Sequence, residues 1–149
     1  MTNYPSFQIL ITGIGAAIIA QILKFLGYLI LYKKVNFKLL LTTGGMPSSH
    51  SAGVVGLAAM TGFLSGFGSV DFAVCTGYAL VVMYDAAGLR RAAGKMAVSL
   101  NRMMDDFYEH RQTHPAERLK ELLGHTPMEV FFGAILGIII AYINHNFVF

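Results

Sequence analysis

The stretch Phe7–Tyr32, FQILITGIGAAIIAQILKFLGYLILY, decides what kind of protein this is. It carries a single charged residue, Lys24, and is long enough to meet the roughly 17–25 apolar residues with which a helix spans a bilayer's hydrocarbon. Three more apolar segments follow, at about Ala52–Phe67, Phe72–Leu89 and Pro127–Ile143, the first and last of them near the lower limit of that range. Composition points the same way. The 149 residues are 55% hydrophobic and 13% charged, against about 25% charged in a soluble domain. A chain this short exposes too much of its surface for the excess to be core, so lipid is its solvent. The expected fold class is all-α: an integral membrane helical bundle of about four transmembrane helices plus a polar helical connection, in one domain over residues 1–149.

The connections separate by charge. Lys33, Lys34 and Lys38 lie between the first two segments, and Arg90, Arg91, Lys95, Arg102, Arg111, Arg118 and Lys120 between the last two. The short Ser65–Asp71 turn has no basic residue, and Lys24 is the remaining cation. With four crossings, both basic connections fall on one side, which the positive-inside rule makes cytoplasmic. The net charge of +3 therefore reads as orientation in a cell membrane and contact with membrane lipids. With no basic-aromatic module, no Walker loop and no paired CxxC, no nucleic acid partner is expected. Within the long connection, Ala92, Met96, Leu100 and Met103 recur at helical spacing, predicting a helix to about Tyr108. His114-Pro115 breaks it, and a short helix over Ala116–Leu123 ends at Gly124. Gly62/Gly66 and Gly133/Gly137 have the spacing that lets helices approach closely. It fits packing within the monomer or a homodimer face. The lone cysteine, Cys75, excludes an internal disulfide and reads as a small core or lipid-facing residue.

Four places carry chemistry. GGMPSSHSA, Gly44–Ala52, is a tight loop leading into a helix that Ser48, Ser49 or Ser51 can cap. Free N–H groups and the positive dipole end suit an oxyanion there, and His50 extends the site. The alternative is a plain cap with a hydrogen-bonded histidine. In YDAAGLRRAAG, Tyr84–Gly94, Asp85 lies near the end of an apolar segment, where a carboxylate is normally paired. Arg90 and Arg91 follow with guanidinium forks that fit a phosphate or, equally, an interfacial ion pair and headgroups. In LGHTPMEV, Leu123–Val130, Glu129 can reach back one helical turn to His125 and so raise the basicity of its imidazole. Lys24 either snorkels to the basic face or points into the bundle towards an anion. His110 and His114 have metal-compatible spacing without a third ligand. No metal and no cofactor are expected, and His145 reads as interfacial.

Taken together, GGMPSSHSA, YDAAGLRRAAG and LGHTPMEVFFGAILG resemble the divergent branch of the type 2 phosphatidic acid phosphatase superfamily, related to vanadium-dependent haloperoxidases. The resemblance runs from about Gln21 to Gly137. It implies that Pro47-Ser48-Ser49-His50 stands for the family's Pro-Ser-Gly-His, with His50 the general acid. It further implies that His125 is a nucleophile towards phosphorus, oriented by Glu129 where the wider family has aspartate. The family arginine six residues before that histidine is here Leu119, between Arg118 and Lys120. Of the family's lysine and Arg-Pro motif only Lys24 is present, and its usual core has six helices. This chain is thus expected to be a reduced form of that core. The implied activity is metal-independent hydrolysis of a lipid phosphate, polyprenyl or glycerolipid, through a phosphohistidine. His125, His50 and Glu129 would be catalytic. Lys24, Ser48, Ser49, Arg90 and Arg91 would bind phosphate, with Asp85 and Lys120 in support. The rival expectation is a non-catalytic lipid-phosphate binder, transporter or scaffold.

Overall fold

The computed structural model describes residues 5–35, 45–109 and 124–148, and among these every regular element is a helix. The elements are α1 (Pro5–Tyr32), α2 (Ser49–Ser65), α3 (Val70–Ala87), α4 (Leu89–Glu109) and α5 (Pro127–Ile143), with a π-helical turn over Asn144–Val148. Three stretches are long and apolar enough to cross a membrane: Ser6–Tyr32, Val70–Asp106 and Pro127–Val148. α2, with 17 residues and a length of about 25 Å, lies in the middle, packed against α1, α3 and α5.

The helices are inverted relative to those of a water-soluble bundle. In α1 the buried stripe is Thr12, Ala16, Ala20 and Lys24, four residues apart, while Leu10, Ile14, Ile18 and Ile22 face outward. The core cluster is Ala16, Ala20, Ala52 and Ile140. Small residues inside and large ones outside are what lipid solvation produces. Lipid gives large apolar side chains no reason to hide, and close backbone approach supplies the packing energy. The Gly133/Gly137 pair does this within the monomer. A Cβ on Gly133 would run into the Ser48 carbonyl oxygen, and one on Gly137 would meet the Ala52 carbonyl and, at 2.7 Å, the Gly56 amide nitrogen. α5 therefore lies directly on the backbone of α2.

The other glycine pair is not a seam. Gly62 is covered by Phe67 and Phe72 side chains, and Gly66 is the residue that ends α2, its N–H donating to the Gly62 carbonyl. The spacing is the same, but the helix stops before it can present both residues to a neighbour.

α2 also starts three residues before the apolar segment does. Ser48 is its N-cap, accepting at Oγ from the Ser51 amide (3.3 Å) and the Ser51 hydroxyl (3.1 Å). Of the three serines expected to cap the helix, Ser48 is the one that does; Gly45, Met46 and Pro47 form the loop before it, and Ser49, His50 and Ser51 lie in the first turn. Ser48→Ala is expected to cost about 1 kcal/mol, readable as a lowered unfolding midpoint in detergent.

Chain direction alternates, so the start of α2, the end of α3 and the start of α5 share one end of the bundle with the last turns of α1. At the opposite end, Asn144 Nδ2 donates to Thr12 Oγ1 at 3.1 Å, and His145 stacks on Phe63 with ring centroids 5.1 Å apart. Gly88 separates α3 from α4, and α4 runs to Glu109, as its helical spacing predicts. The predicted Ala116–Leu123 helix, His110 and His114 lie outside the described residues.

Candidate active site

Two helix starts meet at the shared end. α5 opens with a capping box. The Glu129 amide donates to Thr126 Oγ1 (3.3 Å), and Glu129 Oε2 accepts from the Thr126 amide (3.2 Å). Pro127 stands at the first turn, where its missing N–H costs nothing. The Ser48 amide donates to the Glu129 carbonyl at 3.0 Å, clipping the entrance of α2 to the first turn of α5. The free N–H groups and dipole ends of both helices are thereby brought together.

The same Glu129 carboxylate serves His125. Oε2 lies 2.9 Å from His125 Nδ1. A carboxylate accepts, so Nδ1 is the donor, and whenever the ring is neutral Nε2 is the nitrogen with the lone pair. His125 is 2% exposed, and its buried Nε2 has no hydrogen-bond partner among the described residues. Such an atom is costly unless something else uses it. The His50 ring meets the His125 ring edge-on, with centroids 6.3 Å apart and planes at 66°.

Lys24 completes the cluster. It is 5% exposed, so it points into the bundle rather than snorkelling. Its Nζ donates to Gln21 Oε1 at 2.7 Å and lies within electrostatic range of Glu129. Its methylenes pass under Gly45, where a Cβ would lie 3.2 Å from Cδ; Gly45 has φ +83°, a conformation glycine adopts without strain. Gly45 thus leads the chain over the lysine, through a cis Met46-Pro47 bond, to the Ser48 cap.

Lys24, Ser48, Ser49, His50, His125 and Glu129 are therefore neighbours at one end of the bundle. Asp85 is half-buried near the end of α3. Arg90 and Arg91 belong to the first turn of α4, but their side chains, like Lys120, lie outside the described residues. Gln21 escaped the sequence reading. Its place three residues before Lys24, on the same helix face, was the signal for it.

A buried lysine, two helix starts, hydroxyls and a histidine whose Nδ1 is held by a carboxylate form a set that could hold an oxyanion and attack it. The model of the Divergent PAP2 family matches residues 6–140 of the sequence. The chain belongs to the Divergent PAP2 family. This Divergent PAP2 chain is also similar to the uncharacterized membrane protein YuiD of Bacillus subtilis (strain 168), at 37% identity over 153 residues, covering 96% of this chain and 94% of the relative. No solved structure matches it.

Proposed function

We propose that this Divergent PAP2 protein is a metal-independent lipid phosphatase working through a phosphohistidine. The observation that carries the reading is the buried His125, whose Nδ1 is held by Glu129 and whose Nε2 has no hydrogen-bond partner among the described residues, with the His50 ring beside it. A phosphorus in near-attack position lies roughly 3–3.5 Å from its nucleophile. With ring centroids 6.3 Å apart in edge contact, His50 would stand beside such a phosphorus, within reach of an oxygen bonded to it.

The Nε2 lone pair attacks phosphorus, and the bond to the lipid oxygen breaks. His50, protonated, gives its proton to that departing oxygen. Water then attacks the phosphohistidine, with its proton passing to His50, and the P–N bond breaks to restore Nε2. Lys24 and the N–H groups at the α2 start offset the charge on the phosphoryl oxygens, the main source of acceleration in phosphoryl transfer. Glu129 fixes the tautomer and stabilises the cationic ring. The clustering of basic residues at this end supports a cytoplasmic orientation.

Purified protein in lipid vesicles, supplied with phosphatidic acid or a polyprenyl phosphate in excess chelator, should release inorganic phosphate and form an acid-labile phosphoprotein during turnover. Tight lipid-phosphate binding with neither product would replace this reading with the non-catalytic one.

Lys24→Met fills the same space but leaves Gln21 Oε1 without the ammonium and Glu129 without a nearby opposite charge, so stability should fall. Phosphate affinity should fall about tenfold or more, the scale of a lost charge-assisted hydrogen bond. Thermal unfolding and a phosphate competition assay on one preparation read both.

A further inference from the structure

The headgroup cluster is continuous with an apolar groove on the membrane side of the bundle. α1 and α2 are drawn together by small residues: a Cβ on Gly53 would lie 3.2 Å from Ala17 Cβ, and one on Gly13 would lie 3.1 Å from the Gly53 carbonyl oxygen. On the active-site side of that contact the seam opens into a groove of about 460 Å³ lined by Ala17, Ile18, Gln21, Ile22, Ser49 and His50. Ile18 and Ile22 form its outer rim and are 53% and 46% exposed, so it opens sideways, where lipid chains would lie. His50, Ser49 and Gln21 supply its polar lining, and Gln21 holds Lys24. The lining is therefore polar beside the lysine and aliphatic along Ile18 and Ile22, an arrangement complementary to an anionic head on an apolar chain.

We propose that this groove receives the first carbons of the substrate's chain. The substrate class is then a phosphate monoester on an apolar chain that slides in laterally from the bilayer, its chain lying along Ile18 and Ile22 while its phosphate reaches the two histidines. The proposal rests on the phosphate-site reading above. It adds a direction of approach, between α1 and α2, and two residues that set which chains fit.

The test uses the full-length protein in phosphatidylcholine vesicles with an alkyl phosphate carrying a photoactivatable diazirine close to its head. Irradiation should concentrate label on residues 17–22 of α1 and 49–50 of α2. The matching alcohol, which lacks the phosphate, should label lipid-facing positions evenly, the outward face of α3 included. Ile18→Trp and Ile22→Trp, at lipid-facing positions where a large side chain has room, should each reduce groove labelling to the α3 level, and Ile18→Ala should retain it. Even labelling by the phosphate probe, or groove labelling unchanged by either tryptophan, would overturn the proposal. Phosphate release measured on the same vesicles keeps the two readings apart. Release without groove labelling overturns the groove alone. Labelling without release upholds the groove and overturns hydrolysis.

Discussion

Replacing His125 with alanine is expected to remove phosphate release by a factor on the order of 10³ or more, the scale seen when a nucleophile is deleted. The acid-labile phosphoprotein should vanish with it. The loss should be chemical in origin. Alanine removes the buried ring and its Nδ1–Glu129 bond, while Glu129 keeps its bond to the Thr126 amide and so still closes the first turn of α5. Glu129→Gln separates the two jobs of that side chain, because glutamine can serve the capping box but brings no charge to the imidazole. The unfolding midpoint should therefore move little while turnover falls steeply. Full phosphate release by His125→Ala protein would sink the nucleophile assignment.

The second large effect concerns packing. Gly133→Ala and Gly137→Ala each place a methyl group against backbone of α2, which cannot rotate aside as a side chain can. Overpacking of this kind typically costs about 1–3 kcal/mol, and the two sites, one turn apart on the same seam, should not add independently. Gly133→Ala should also cost more activity than its stability loss explains, since it pushes on Ser48, whose amide is tied to the Glu129 carbonyl. Gly15→Ala and Gly27→Ala are the controls. A Cβ at either meets nothing within 4 Å, so better helix propensity should leave those variants neutral or slightly more stable. Equal midpoint shifts for all four, measured by thermal unfolding in detergent, would refute the seam.

Much of this architecture is legible in the chain because lipid solvation writes long, unbroken apolar runs. Phe7–Tyr32 and Pro127–Ile143 lie within a few residues of α1 and α5. The start of α2 was legible in its capping serines rather than in hydropathy. Ser49, His50 and Ser51 precede the apolar run, yet polar side chains are what a helix's first turn uses to satisfy its amides. Glycine spacing showed that α5 has a close-packing face but not which neighbour it meets, since periodicity describes one helix at a time. It misled at Gly62/Gly66 for the same reason: a repeat of four does not reveal that the helix has ended. Lys24 was legible as an anomaly, but its direction was not. Only the three-dimensional arrangement puts Gly45 above it, Gln21 at its tip and Glu129 within reach.

The unequal helix lengths at this end bear on the bilayer itself. α1 continues for two turns past Lys24, about 12 Å, and carries a tilted Tyr28–Tyr32 pair with centroids 4.6 Å apart, the kind of residue that settles at the headgroup level. Among the described residues, α2 and α5 begin near the level of Lys24, short of that pair. A phosphate held beside Lys24, as proposed, would sit beneath its neighbours in the leaflet. Reaching it would require the leaflet to dip locally, and the cost of such a dip grows with membrane thickness. Vesicles of short-tailed lipids should support faster turnover than long-tailed ones of identical headgroup. Equal rates would mean that the leaflet does not resist the descent. On this view the thickness of the host membrane controls the site much as the concentration of a ligand would.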